Sequence, residues 1–302
     1  MAVDVGFDAV RRIPLVLAAI AALSGCGDDS PVRPTLALDF QPNPVHAGIY
    51  AAKGLRVRVP SSSTDSLKLL ATGRADMAVV DIHDLGLARE RGADIVGVGA
   101  LVQRPLAAVI ARADIERPHD LEGKRVGVTG LPSDDAVLRA EVEHDGGDYS
   151  KVKRTTIGFS AVPSLIAGKV DAVVAFWNAE GVALRQRGVR TREFRVDEYG
   201  APRYPELVLA VKRADAAGAK QTLAKLAAGT RAALADREAT IARLVKVSGA
   251  DEPLVRAQLD AVAPALLPPI RLDRRALEGW ARFDTRFGIL KRRPDVAQAF
   301  PR

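Results

Sequence analysis

Two stretches of the chain repeat one pattern, and that repeat limits the fold more than any other feature. Ser66 to Gly92 reads SLKLLATGRADMAVVDIHDLGLARERG, and Pro163 to Gly188 reads PSLIAGKVDAVVAFWNAEGVALRQRG. Each passes from helical spacing through a Gly-Arg/Lys-x-Asp turn into a Val-rich strand, a polar loop and a second helix ending in Arg-x-Arg-Gly. Gly73 corresponds to Gly168, Asp76 to Asp171 and Gly92 to Gly188. Two similar α/β lobes account for this most simply. Ligands of open α/β sheets sit beyond the carboxyl ends of the strands. The loops after the repeated strands, Asp81-Ile82-His83-Asp84 and Trp177-Asn178-Ala179-Glu180, are therefore expected to face each other across a cleft.

The rest of the body fits that frame. Strands are expected at Ala75 to Val80, Ile95 to Leu101, Arg125 to Thr129 and Val170 to Phe176, with helices at Asp65 to Thr72, Asp84 to Arg91 and Asp134 to Glu143. This alternation argues for mainly parallel sheets with covering helices. From Ala214 to Ala265 the apolar positions keep helical spacing, so this part should be a helical pack without chemistry of its own. A strand ending at Phe40 runs into Pro42-Asn43-Pro44 and out into an Ala-rich helix carrying His46 and Tyr50, a third element aimed at the cleft.

Composition excludes several classes. The 302 residues suffice for two lobes, and 48% hydrophobic with 27% charged content is that of an ordered globular protein rather than a disordered one. The net charge of +7 comes from scattered Lys and Arg. Without a basic stripe interleaved with aromatics, nucleic acid is not an expected partner. His83, His119 and His144 read as solvated positions, and no histidine pair has metal-ligand spacing, so no metal and no cofactor are expected.

The N-terminus carries an export signal. Arg11-Arg12 precede the apolar run Ile13 to Leu23, too short to span a bilayer but suited to a signal-peptide core. The run ends in Leu23-Ser24-Gly25-Cys26, which is similar to a bacterial lipobox, and Cys26 is the one cysteine of the chain. Residues 1–25 are thus expected to be a lipoprotein signal peptide, Cys26 the lipidated residue, and 26–34 a tether to the outer face of the cytoplasmic membrane.

Several motifs together resemble a known family. They are Leu38-Asp39-Phe40-x-Pro42-Asn43-x-x-His46-Ala47-Gly48-Ile49-Tyr50, Gly99 to Leu106, Asp120-Leu121-x-Gly123-Lys124, Val162-Pro163-x-Leu165-x-x-Gly168-Lys169-Val170-Asp171, Trp177-Asn178-x-Glu180-Gly181 and Tyr199-Gly200-x-Pro202-x-Tyr204-x-Glu206-Leu207. They resemble the periplasmic-type binding proteins of ABC importers for pyrimidine precursors of thiamine. The resemblance covers Thr35 to Val211. It implies a two-lobed α/β periplasmic-binding-protein type II fold, a Venus flytrap with C-terminal helices. Lobe 1 would hold 35–110 plus 208–302 and lobe 2 would hold 111–207, hinged near Leu106 and Leu209. It also implies a monomeric, non-enzymatic receptor with a permease and an ATPase as partners. The sequence departs from the family between Tyr50 and Leu55, where the link from helix to strand is shorter.

A 4-amino-2-methylpyrimidine, such as formylaminopyrimidine or hydroxymethylpyrimidine, needs flat apolar walls and edge groups that match its donors and acceptors. Phe40 and Trp177 are the expected walls. Asn43 is the expected edge reader, as asparagine reads adenine, and Glu180 the acceptor for the amino group or a protonated ring nitrogen. Asn178 belongs to the same loop, while His46, Tyr50, Asp81 and Tyr204 are placed at the rim or near the ring substituent. The alternative ligands are riboflavin, a sulfonate, nitrate or another heterocycle. A sulfonate or nitrate would favour basic groups and free helix N-termini, against the acidic loops here. A pyrimidine synthase is the remaining alternative, but its cysteine-rich motif has no counterpart after Cys26.

Overall fold

A computed structural model of the chain describes residues 33–61 and 65–301. The expected signal peptide and Cys26, with the tether up to Val32, lie outside the described residues. The chain begins with β1 (Thr35–Ala37), α1 (Ala47–Ala51), β2 (Arg56–Arg58), α2 (Asp65–Ala71), β3 (Met77–Asp81), α3 (Ile82–Glu90) and β4 (Ile95–Ala100). It continues with β5 (Ala107–Arg112), β6 (Arg125–Val128), α4 (Pro132–His144), β7 (Lys153–Thr156), α5 (Ala161–Ile166), β8 (Ala172–Phe176), α6 (Val182–Gln186) and β9 (Thr191–Arg195). After β10 (Leu207–Lys212) come only helices: α7 (Lys220–Ala235), α8 (Arg237–Ser248), α9 (Glu252–Val262), α10 (Arg274–Arg286) and α11 (Val296–Ala299).

The strands form two five-stranded sheets, ordered β2-β1-β3-β10-β4 and β7-β6-β8-β5-β9. The expectation of mainly parallel sheets needs correction, because both are mixed. In the first sheet β1 runs parallel to β2 and β3, whereas β10 runs antiparallel to β3 and β4. In the second, β6 is parallel to β7 and β8, whereas β5 is antiparallel to β8 and β9. The cause is the route of the chain. It passes from β4 straight to β5, and from β9 to β10, without the crossover helix that parallel pairing requires. Each sheet therefore takes its fourth strand from a segment arriving from the other sheet.

The internal repeat is structural as well as textual. Asp76 accepts from the Thr35 backbone N–H through Oδ2 at 2.7 Å, and Asp171 does the same from Arg125 at 2.9 Å. The reverse backbone bonds, Asp76 N to Thr35 O and Asp171 N to Arg125 O, measure 2.9 and 2.8 Å. Both turns use glycine at positive φ, 70° at Gly73 and 65° at Gly168, which a side chain would strain. Identical turns start β3 and β8, so the loops that follow those strands occupy equivalent places.

The short link after α1 is compensated by packing. A five-residue helix is marginal by itself, but α1 lies close against α7 of the C-terminal pack. A Cβ at Gly229 would fall 2.3 Å from the Gly48 carbonyl oxygen, and one at Gly48 would meet the Thr230 side chain. Helix propensity alone favours Gly229→Ala by about 1 kcal/mol. The clash is with backbone and cannot be relieved by a rotamer change, so this variant is expected to lower the unfolding free energy by about 1–3 kcal/mol in urea titrations.

Candidate functional site

One cavity gathers the ends of elements from both sheets. Asp39, Phe40 and Asn43 reach it after β1, Asp81 and Asp84 from the start of α3, and Glu206 from the segment before β10. From the other side come Thr129, Leu131 and Asp134 at the start of α4, Phe159 before α5, Phe176 at the end of β8, and Asn178 and Glu180. The last two lie in a single π-helical turn, Trp177–Gly181, between β8 and α6.

The cavity is acidic. Asp39, Asp81, Asp84, Asp134, Glu180 and Glu206 line it, and no Lys, Arg or His stands among its described lining residues. Burial raises the carboxyls of Asp81, Asp84, Asp134, Glu180 and Glu206 above their ordinary values, since removal from water disfavours the charged form. Two of the helix starts that face the cleft, those of α3 and α4, are already occupied. Oδ2 of Asp134 accepts from the backbone N–H groups of Thr129 (2.7 Å), Gly130 (3.0 Å) and Leu131 (3.3 Å) ahead of α4. Oδ1 of Asp81 accepts from His83 N at 2.8 Å and caps α3. At these two places the amides that would hold an oxyanion are satisfied by the chain's own carboxylates.

Of the nine residues expected at the site, Phe40, Asn43, Asp81, Asn178 and Glu180 line the cavity. Asn178 is 3% exposed, and its Oδ1 has no hydrogen-bond partner. A buried acceptor without a partner costs free energy in the empty protein, and here it borders an open cavity. Glu180 is held in place by the Phe176 N–H, which donates to its Oε2 at 3.1 Å.

Asn43 has a local role beside its place on the cavity wall. Its Oδ1 accepts from Val45 N at 2.9 Å and its Nδ2 donates to Gln41 O at 3.1 Å, an Asx turn that caps the helical segment beginning at Pro44. These local bonds engage both ends of the amide expected to read the ligand edge. His46 is fully buried and serves the corner: its Nδ1 accepts from Asn43 N, so the ring proton resides on Nε2 and is donated to Asp39 Oδ1 at 2.7 Å. It orients Asp39, which faces the cavity. Tyr50 packs with the helices behind α1 and is not among the lining residues.

Trp177 is not a wall of the cleft. It is 2% exposed, its Nε1 donates to Pro105 O at 3.1 Å, and the Arg195 guanidinium stands 4.2 Å from its ring centroid. That packing fastens the π turn to the segment joining β4 and β5. The ring facing Phe40 is instead Phe159, with centroids 5.4 Å apart and planes at 49°. Both are open to solvent, Phe40 at 39% and Phe159 at 62%, as befits a mouth rather than a core. Phe159 follows Gly158 in a loop, and an aromatic in that setting was the available sequence signal.

Tyr204 and His83 are also corrected, the first as a rim residue and the second as a solvated position. Tyr204 is fully buried and His83 is 1% exposed. His83 Nδ1 lies 2.6 Å from Asp284 Oδ1 and its Nε2 lies 3.2 Å from the Tyr204 hydroxyl. Burial pulls the imidazole down, but Asp284, with Asp81 and Glu206 beyond it, outweighs this and pushes it up to about 10. Asp81, His83 and Glu206 bring donor atoms within 4.8 Å of one another. Because both ring nitrogens of His83 are engaged, the group is arranged as a hydrogen-bond network and not as a metal centre.

Comparison with known proteins adds an independent line. Residues 43–239 match the family described as NMT1/THI5 like. The chain is 35% identical to a formylaminopyrimidine-binding protein of Halalkalibacterium halodurans over 217 residues, 66% of each protein. It is 31% identical to a putative thiamine biosynthesis protein of Haemophilus influenzae over 195 residues, 59% of this chain and 61% of the relative. The chain thus covers less than two thirds of the length of either relative. The crystal structure of the periplasmic aliphatic sulphonate binding protein from Escherichia coli superposes with a TM-score of 0.74 at 18% identity, over 89% of this chain and 92% of that one. This likeness establishes the two-lobed solute-binding fold with C-terminal helices.

Proposed function

The chain belongs to the NMT1/THI5-like family, and we propose that it is the extracytoplasmic solute-binding component of an ABC importer, capturing a 4-amino-2-methylpyrimidine precursor of thiamine in the cleft. The observation that carries this reading is a buried, unpartnered acceptor at Asn178 within a cavity lined by six carboxyl groups and, among its described residues, no base. Such a site suits a flat ligand that presents N–H donors and repels an anion. The similarity to the formylaminopyrimidine-binding protein of Halalkalibacterium halodurans supports formylaminopyrimidine as that ligand.

In this assignment Asn178 Oδ1 and Glu180 accept from the exocyclic amino group, and Phe40 and Phe159 close over the ring from opposite sheets. The segments before Ala107 and before Leu207 serve as hinges. The chain does no chemistry on its cargo: it is exported, anchored through lipid on Cys26, and passes the pyrimidine as a monomer to a permease driven by an ATPase. The basic surface favours contact with anionic lipid.

Calorimetric titration of the purified protein should show binding heat with formylaminopyrimidine or hydroxymethylpyrimidine and none with taurine. Taurine binding without a response to either pyrimidine would overturn the ligand. Aromatic contacts add about 0.5–1.5 kcal/mol beyond burial. Phe159→Ala is therefore expected to weaken pyrimidine binding by roughly three- to tenfold and to speed release in stopped-flow displacement.

A further inference from the structure

Asp81 and Glu206 meet at the floor of the cleft. Glu206 is 2% exposed, its carboxyl and that of Asp81 bring oxygens within 4.8 Å of each other, and both line the cavity. Two carboxylates this close within a buried site do not both ionise readily. His83 on α3, bonded to Asp284 of α10 at 2.6 Å, favours the charged form of both carboxyls, but three acids, Asp284, Asp81 and Glu206, then draw on one imidazolium. Asp84 on α3 is a further acid, and Tyr204 is a neutral phenol on His83. No Lys, Arg or His among the described lining residues offers a ring nitrogen an acidic donor, and the unpartnered Asn178 Oδ1 in the same cavity adds another acceptor.

We propose that Asp81 and Glu206 share one proton in the empty protein and hand it to a basic ring nitrogen of the ligand, which is then held as its cation against two carboxylates. The O–H bond of the shared acid breaks, an N–H bond forms on the ring, and no proton leaves for solvent. This assignment deepens the pyrimidine reading and rests on it. It makes basicity of the ring, and not shape alone, a criterion of selection: a charge-assisted bond to a carboxylate is about twice as strong as a neutral one. Glu206 also holds the hinge, because its Oε2 accepts from Leu106 N at 3.0 Å on the segment between the two sheets.

Hydroxymethylpyrimidine labelled with ¹⁵N in the ring, bound to the purified protein at mildly alkaline pH, is expected to resonate where the free compound does in acid. Glu206→Gln keeps an acceptor for Leu106 N but carries no proton to give. In calorimetry across buffers of different ionisation enthalpy, wild type should exchange no net proton on binding and this variant should take up one per ligand. Ring nitrogens at their neutral position, or no uptake by Glu206→Gln, would overturn the proton transfer while leaving the pyrimidine reading intact. Binding that needs added zinc and disappears with a chelator would assign the pair to a metal and overturn it also. Failure of wild type to bind any pyrimidine would overturn the ligand reading itself and this assignment with it.

Discussion

Asn178→Leu should weaken pyrimidine binding by roughly 10- to 100-fold while leaving the protein as stable as wild type or more so. The two effects have opposite signs for one physical reason. In the empty protein Asn178 Oδ1 is buried without a partner, and replacing such an atom by an apolar group of similar size removes a standing cost of about 1–3 kcal/mol. In the proposed complex the same oxygen accepts from the ligand's amino group, and leucine would leave that donor unpaired in a closed site. Calorimetry reads the first effect and urea unfolding the second. Loss of both stability and binding would mean that Asn178 only supports the π turn. Loss of neither would remove it from the site.

Asp284→Asn should lower the unfolding free energy by about 3–5 kcal/mol, the usual result of deleting one member of a buried ion pair. Asp284 and His83 are 0% and 1% exposed, so no water can replace the lost carboxylate. Because the folded value of His83 is raised to about 10 from an unfolded value near 6.5, the stabilisation is fully present below the lower value and is lost as pH climbs through the upper one. The gap between wild type and Asp284→Asn, followed by urea unfolding across pH, should therefore be widest near or below neutrality and narrow toward pH 10. A gap that widens with rising pH would contradict an imidazolium at His83.

The fold was legible where the signal was local. Asp76 and Asp171 could be aligned as letters, and they make the same bond to the start of a parallel neighbour. The placement of β5 and β10 was not legible, because antiparallel pairing in a borrowed position depends on where the chain crosses between sheets. At the site, sequence pointed to the π turn that carries Asn178 and Glu180, but it singled out Trp177 in the same turn. The partners that turn this ring away, Pro105 and Arg195, come from distant segments. The same holds for His83 and Asp284, whose bond spans 201 positions. Asn43 shows the converse case, since its Asx turn is a local signal that the structure bears out beside its place at the cavity.

In the proposed assignment the cleft selects a ligand by its N–H donors. The most direct measurement titrates the protein with hydroxymethylpyrimidine and with the analogue in which the 4-amino group is replaced by a carbonyl oxygen. That exchange turns a donor into an acceptor facing Asn178 Oδ1 and Glu180. The amino compound is expected to bind and the oxo compound to bind at least about 100-fold more weakly, the penalty for leaving buried polar groups unpaired. Equal affinities for the two would contradict the assignment.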